Sequence, residues 1–479
     1  MKQIKRKTAA AIVMTRVVIL VMTAVTLVLL RVPIRVLGAT NDSWQEDGKM
    51  TIILDPMYNG QNSGGVVVYE GKTYYTSAIN YALAAAMKEE LEKYDDVEVL
   101  LSRTKDEKVS LQNRKNFIDS HREADFFITT WVDSSGTGKA SGLRADVYKK
   151  GDYDSTEDKI GQESALVGEH MQQVISAVTG LPISKRPIGK DYWAVTTAAQ
   201  NAAIPNLYFC FGDLSNEEEL KLYWSDPEKV KQLGIIAARG FATAYGLKRE
   251  DNILTIVLDP GHGGNEFGAV CTWDNITYHE KDINLKIAQY LRTLLNQYED
   301  VQVFLTREDD KLVGLLQRTK FAQGNLADVL ISVHNNASEY HTAHGCMVLV
   351  TSTRWQPSHT PLNLYQTSEE LALSFLARWQ ALGIDLSQDL NTKSDGILRR
   401  LHPEETEQVR YPNGDIKDYY AIVRNGVEAG LPSIILEHAY VDYESDFKTY
   451  LMTEDQLRIL AQADCEAIVK YYSLQKKKS

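Results

Sequence analysis

Short apolar runs alternate along this chain with longer stretches in which apolar residues recur every three or four positions. In the second half, the apolar runs predict five strands, near 255–258, 301–305, 329–333, 346–351 and 433–436. The periodic stretches predict five helices, near 280–298, 311–324, 367–382, 419–429 and 454–472. Because strands and helices alternate, the pattern indicates a three-layer α/β/α fold, in which a mostly parallel, twisted sheet carries helices on both faces.

The first half carries the same pattern in altered form. TIILDPMYNG, from Thr51, parallels TIVLDPGHGG, from Thr255. Further matched pairs are Ile79-Asn80 with Ile283-Asn284, Arg103 with Arg307, Arg114 with Arg318, and Ala124 with Ala327. The spacing is 204 positions for the arginines (307 minus 103), 203 at the alanines (327 minus 124) and 227 between Pro205 and Pro432 (432 minus 205). The sequence therefore predicts two related domains in tandem, with an insert at about 401–417 in the second.

This repeat divides the chain into segments. The first copy is expected at 50–247 and the second copy at 254–475, joined by a short polar linker at 248–253. Residues 39–49 form another polar linker. Because the joint between the copies is short, the two domains are expected to touch. The insert either lines the cleft of the second copy or is a solvated loop.

The N-terminal segment, residues 1–38, has the order of charge and apolarity typical of an export signal. Basic residues at Lys2, Lys5, Arg6 and Lys7 precede an uncharged run from Val17 to Leu30. The run is short for a bilayer span, and Val36-Leu37-Gly38 is a tolerable cleavage site. Either a cleaved signal or an uncleaved membrane anchor is consistent with it, and both place the chain outside the cytoplasm, in the cell envelope.

Composition narrows the possible partners. The formal net charge of −12 argues against nucleic acid and against charge-driven binding to an anionic surface. The four cysteines, Cys210, Cys271, Cys346 and Cys465, show no CxxC spacing, so we expect small buried side chains instead of a disulfide framework.

Four residues of the second copy carry candidate chemistry. His262 lies in a glycine-rich corner after one predicted strand, His334 follows another, and Glu437 ends a third. Glu280 opens a helix. Because the carboxyl ends of parallel strands share one edge of a sheet, these side chains are expected to converge. Two imidazoles and one carboxylate make the three-ligand set of a catalytic zinc site, and Glu437 is then the acid that moves protons.

Each residue also has a simpler explanation. A single histidine after a strand is usually a loop residue, Glu280 is well placed for the dipole of its helix, and Glu437 could form an ion pair at a strand end. Their order and placement together favour one metal site.

The second copy resembles the zinc-dependent N-acetylmuramoyl-L-alanine amidases of bacterial peptidoglycan. The matching stretches are LDPGHGG, HEKDINL, LTRE, the arginine of LLQRTKFA, ADVLISVHNNA and LPSIILEHAYVD. The resemblance implies that His262, Glu280 and His334 bind one Zn²⁺, that Glu437 is catalytic, and that the substrate is the amide joining N-acetylmuramic acid to L-alanine. The alternative is a non-catalytic or regulatory protein that binds the cell wall. A regulatory protein partner of unknown identity is a further alternative.

The first copy has lost these residues. By the same offsets, His262 corresponds to Tyr58, Glu280 to Thr76, His334 to Trp131 and Glu437 to Cys210. We therefore expect the first copy to be metal-free and inactive, with either a packing role or a role in binding wall glycan through its aromatic residues. Arg307 and Arg318 recur in the first copy, which favours a structural role, and Asn336 is expected to support either the ligands or the fold.

Overall fold

The structure is a computed structural model that describes residues 48–477 apart from 61, 139–141, 149–158, 192, 248, 250–252, 358–359, 361, 388–394 and 404–408. The predicted export segment, nearly all of the 39–49 linker, most of the 248–253 linker and part of the insert lie outside the described residues. None of the helices within the described part of the chain is both long enough and apolar enough to cross a membrane.

Each copy is built on a six-stranded sheet. The strands of the first sheet are β1 (Met50–Pro56), β4 (Val97–Leu101), β5 (Phe126–Asp133), β6 (Leu143–Tyr148), β7 (Ile183–Asp191) and β8 (Asn206–Asp213). Those of the second are β9 (Leu254–Pro260), β12 (Val301–Leu305), β13 (Val329–Asn336), β14 (Met347–Leu349), β15 (Ile397–Leu398) and β16 (Ser433–Tyr440). Their spatial orders are β4-β1-β5-β8-β6-β7 and β12-β9-β13-β16-β14-β15. The two sheets therefore have the same topology.

The sheets are mostly parallel, as predicted. Within each sheet one neighbouring pair is antiparallel, β6 with β8 and β14 with β16. Each copy also has a two-stranded hairpin beside its sheet, formed by β2 (Val66–Tyr69) with β3 (Lys72–Tyr75), and by β10 (Val270–Trp273) with β11 (Ile276–His279). The sequence pattern did not predict these hairpins, because their four-residue strands are largely exposed and carry no buried apolar run.

Helices cover both faces of each sheet. Those of the first copy are α1 (Thr76–Leu91), α2 (Leu111–Asp119), α3 (Lys159–Thr179), α4 (Ala194–Asn201) and α5 (Pro227–Tyr245). Those of the second are α6 (Glu280–Leu295), α7 (Leu315–Gly324), α8 (Leu364–Ala381), α9 (Ala421–Ala429) and α10 (Glu454–Tyr472). Thr453 and Gln456 form a capping box that begins α10. Separate apolar clusters fill the two sides of each sheet, which confirms the three-layer α/β/α architecture.

The two copies contact each other. Helix α7 of the second copy packs on α3 of the first, and Leu326, just after α7, packs against the main core of the first copy. All four cysteines are free and buried, as expected.

The described part of the insert packs on residues 351–355. Asp418, just after it, accepts hydrogen bonds from the Thr351 hydroxyl (2.8 Å) and the Ser352 amide (2.7 Å), and Tyr411 stacks on Trp355. Residues 351–355 follow the C-terminal end of β14. Glu437 pairs with Met347, at the other end of this strand. This part of the insert is therefore anchored to the segment that follows β14.

Candidate metal centre

The glycine-rich corner presents His262 at the edge of the second sheet. Strand β9 ends at Pro260, and His262 adopts a left-handed backbone with φ of 60°. A non-glycine residue in this region is uncommon and requires local support. Tyr58, the matching residue in the first copy, has φ of 67°. The unusual turn is thus a property of both copies, whichever side chain it carries.

Glu280 lies between the two histidines. It is the first residue of α6, as predicted, and it is almost fully buried. Its Oε2 lies 3.1 Å from Nε2 of His262, and its Oε1 lies 2.9 Å from Nδ1 of His334. One ligand atom from each of the three residues lies within 4.8 Å of the other two. The fold therefore brings together the three side chains that the sequence suggested as ligands.

Glu437 lies beside this group. It is in register with His334 on the neighbouring parallel strand, and its Oε2 is buried without a hydrogen-bond partner among the described residues. The expectation that His334 follows its strand and that Glu437 ends its strand was wrong by a few residues, because β13 continues to Asn336 and β16 to Tyr440. Pairing with neighbouring strands extends both elements beyond their apolar runs.

The two carboxyl groups have opposite electrostatic environments. Burial raises the pKa of Glu280, but hydrogen bonds from His262 and His334 outweigh this effect and hold it below its ordinary value. Burial, with a smaller contribution from the charge of Glu280, raises the pKa of Glu437 well above its ordinary value. Glu280 is thus suited to remain an anionic ligand, and Glu437 to take up a proton.

Two buried arginines hold the ligand-bearing segments together. Arg307 donates to the carbonyls of Pro260 and Gly261, and also to the carbonyl of Lys281 next to Glu280 (2.7 Å). Arg318 donates to the carbonyl of His262 (2.9 Å) and pairs with buried Asp259. Neither guanidinium makes a hydrogen bond to a ligand side chain among the described contacts. Their contacts are therefore with the backbone that carries the candidate ligands.

The same arrangement recurs in the first copy. Arg103 donates to the carbonyls of Pro56 and Ser77, and Arg114 pairs with Asp55 and donates to the carbonyl of Tyr58. Because the arginines persist where the candidate ligands are replaced, their contacts with the backbone do not depend on those side chains.

Of the asparagines near the candidate site, only Asn336 was named from the sequence. Asn336 contacts Met347 and its own neighbour Ala337 and makes no described hydrogen bond to a candidate ligand, so it supports the fold at the strand end. Asn284 instead donates to Glu280 Oε1 (3.0 Å), and the backbone N–H of Asn335 also donates to that oxygen (3.2 Å). Asn284 could have been found, because it lies four residues after Glu280 on the same helix face.

His438 turns away from Glu437, as strand alternation predicts. It is fully buried, and its two ring nitrogens lie 3.1 Å from the carbonyl of His334 and 2.9 Å from Oδ2 of Asp464. The indole of Trp379 donates to Oδ1 of the same aspartate (2.8 Å). This polar group ties β13 to β16 and α10 directly behind the candidate site, and nothing in the sequence pattern indicated it.

The corresponding position in the first copy is filled by aromatic side chains. Trp131 is in register with Cys210, as His334 is with Glu437. Trp131 is only 7% exposed and packs edge-on against Tyr208, which stacks on Trp193 with ring centroids 4.7 Å apart. Burial raises the pKa of the Cys210 thiol to about 12. The described residues there form no metal-ligand group, and the space is occupied by the protein's own rings.

The sequence family agrees with this geometry. The Amidase_3 family model, described as N-acetylmuramoyl-L-alanine amidase, matches residues 52–240 and again residues 256–470. The chain therefore belongs to the N-acetylmuramoyl-L-alanine amidase family, and both copies derive from its domain.

Individual relatives are similar over part of their length. The chain is 35% identical over 122 residues to the N-acetylmuramoyl-L-alanine amidase AmiC of Escherichia coli, covering 26% of this chain and 28% of that one. It is 28% identical over 221 residues to the probable cell wall amidase LytH of Staphylococcus epidermidis, covering 46% and 58%. The chain spans less than two thirds of each of these curated relatives.

Among solved structures, the chain is similar to the catalytic domain of CwlV, an N-acetylmuramoyl-L-alanine amidase from Bacillus (Paenibacillus) polymyxa. The identity is 25%, the TM-score is 0.35, and the match covers 47% of this chain and all of that domain.

Proposed function

We propose that this chain is an exported, zinc-dependent N-acetylmuramoyl-L-alanine amidase of the bacterial cell envelope. Its second copy would hydrolyse the amide between N-acetylmuramic acid and L-alanine in peptidoglycan. The observation that carries the proposal is the group of His262, Glu280 and His334 beside an unpartnered Glu437, in a member of this family.

The donor set fits zinc. Two imidazole nitrogens and one carboxylate oxygen are the ligand types of catalytic zinc sites, and three protein ligands leave a position open. Glu280 is held by Asn284 and by the amide of Ala269, so its carboxylate is oriented before any ion binds. A zinc ion held by these residues would lower the pKa of a bound water towards about 7 and polarise the substrate carbonyl.

Glu437 supplies the proton transfers in this proposal. Its buried Oε2 has no partner within the described residues, so it is free to accept the proton of the attacking water. The raised pKa favours retention of that proton until it is delivered to the leaving nitrogen of L-alanine. Glu280 cannot serve this purpose, because both of its oxygens face the histidines.

The first copy would be inactive and would serve packing. Tyr58, Thr76, Trp131 and Cys210 offer no comparable ligand set, and the low exposure of Trp131 disfavours stacking on sugar rings. Its contacts with the second copy support a packing role.

The test is the release of L-alanine amino termini from purified peptidoglycan, with and without a chelator. We expect release that the chelator abolishes and that added zinc restores. A protein that sediments with peptidoglycan but releases no amino termini, with or without zinc, would favour the alternative of a non-catalytic wall-binding protein.

A further inference from the structure

Helix α7 lies between the candidate metal site and the first copy. On one side of the helix, Arg318 donates to the His262 carbonyl and pairs with Asp259. Lys320 and Gly324 follow two and six residues later, and because successive helical residues are about 100° apart they point to a different side. Lys320 and Gly324 both contact α3 of the first copy. The helix therefore touches the ligand loop and the other domain at once.

The contact with α3 is close. A Cβ atom at Gly324 would lie 2.5 Å from Cγ2 of Val178 and 2.9 Å from Cγ1 of Val174, so only glycine fits here without movement. Such an approach fixes the distance between the two helices. Leu326, packed against the first copy's core, extends the contact beyond the helix end.

A polar contact also crosses this interface. Lys320, only 7% exposed, lies 3.1 Å from Nδ1 of His170, whose Nε2 lies 3.0 Å from the Thr243 hydroxyl. The Thr243 hydroxyl donates to the Arg239 carbonyl, so His170 donates to Thr243 and accepts from Lys320. Burying a lysine costs free energy unless it is well partnered, and such groups can fix the register of an interface.

The matching helix of the first copy shows that these features are specific to α7. Lys320, Gln323 and Gly324 correspond, 204 positions earlier, to Asn116, Asp119 and Ser120. Asn116 and Asp119 of α2, and Ser120 directly after it, are exposed, whereas the three residues of α7 are buried. The arginine that holds the corner is common to both helices. The buried face that meets the other domain is found on α7 and not on α2.

We propose that the first copy is a buttress for the metal site: it holds α7 in place, and through Arg318 it positions the loop that carries His262. This inference rests on the metal site proposed above. It gives the degenerate copy a function that needs neither catalysis nor wall binding. Displacing α7 from α3 is then expected to weaken metal binding, although no residue changed would touch the metal.

The test uses the full chain with the substitution Gly324→Ala, the relieving substitution Val178→Ala, and both together. Zinc affinity is measured by competition with a chromogenic chelator, and ligand geometry by the visible spectrum of the cobalt-loaded protein. We expect Gly324→Ala to weaken zinc binding roughly tenfold, which is the usual size for loss of a group that orients a ligand. Val178→Ala alone should bind zinc normally, and the double variant should regain most of the affinity.

Ser120→Ala, at the matching exposed position of the first copy, is the control and should leave zinc affinity unchanged. If Gly324→Ala does not fold, His170→Ala replaces it, since it removes the Lys320 partner without adding volume, and weaker zinc binding is again expected. Normal zinc affinity in the folded interface variants would overturn the buttress while leaving the metal site intact. Failure of the unmodified chain to bind zinc would overturn both.

Discussion

His334 and Glu437 lie in register on neighbouring parallel strands, and the matching pair in the first copy is Trp131 and Cys210. The fold thus places one pair of positions side by side twice in the same chain. In one copy the pair offers an imidazole and a carboxyl group, and in the other an indole and a buried thiol. This internal comparison supplies a matched control for several substitutions.

Glu437→Gln should abolish most of the amide hydrolysis while retaining the metal. Loss of a positioned proton-transfer group typically costs about 10²–10⁴-fold in rate, and the side chain is not one of the three proposed ligands. The measurement is release of L-alanine amino termini, with zinc content determined on the same preparation. Cys210→Ala, the matching change in the first copy, should leave the rate within about twofold. A fully active Glu437→Gln protein would remove Glu437 from the mechanism.

The chain should bind one zinc ion, and the ion should reside in the second copy. His334→Ala removes one of three ligands, so zinc content measured by elemental analysis should fall from about one per chain to nearly zero. Trp131→Phe, at the matching position, should retain the full content. Two ions per chain, or an ion that survives His334→Ala, would contradict a single site at these residues.

The buried pair of His438 and Asp464 should stabilise the second copy only as a pair. Asp464→Ala leaves two buried nitrogens, His438 Nε2 and Trp379 Nε1, without their acceptor, and each such loss costs about 1–3 kcal/mol. The corresponding residues of the first copy, 227 positions earlier (438 minus 211), are Phe211 and Ala237. The double variant His438→Phe, Asp464→Ala should therefore lose less free energy of unfolding than Asp464→Ala alone. Urea denaturation measures both, and a double variant less stable than the single one would refute the coupling.

Lys320→Met should stabilise the protein most at neutral pH. Burial lowers the pKa of Lys320 from 10.5 to about 8, and the groups facing it are neutral His170 and, at longer range, Glu169 and Glu428. Below pH 8 the folded protein carries the free-energy cost of a buried charge. Above pH 8 this cost decreases, because Lys320 loses its proton at a lower pH in the folded state than in the unfolded state. The gain from Lys320→Met, about 1–3 kcal/mol, should shrink between pH 8 and 10.5.

Denaturation of both proteins at pH 7 and pH 10 measures this change. Asn116→Met, on the exposed matching face of α2, should show no such pH dependence. A gain for Lys320→Met that is equal at the two pH values would show that Lys320 keeps an ordinary proton affinity.

The sequence alone determined the two-domain α/β architecture and the parallel sheets, and it grouped His262, Glu280, His334 and Glu437 as one candidate site. It could do so because apolar periodicity records burial, and because a repeat within one chain shows which residues each copy kept or lost. It also predicted a structural role for Arg307 and Arg318, since both recur in the first copy, where the candidate ligands are replaced.

Only the tertiary structure decided the rest. The hairpins, the full lengths of β13 and β16, the His438–Asp464 pair and the contact of α7 with α3 depend on which elements become neighbours. The periodicity of apolar residues indicates whether a side chain is buried, but it does not indicate which residues that side chain packs against. Lys320 shows this limit, because in the sequence it is an ordinary helix lysine, and the presence of the other domain makes it a buried one.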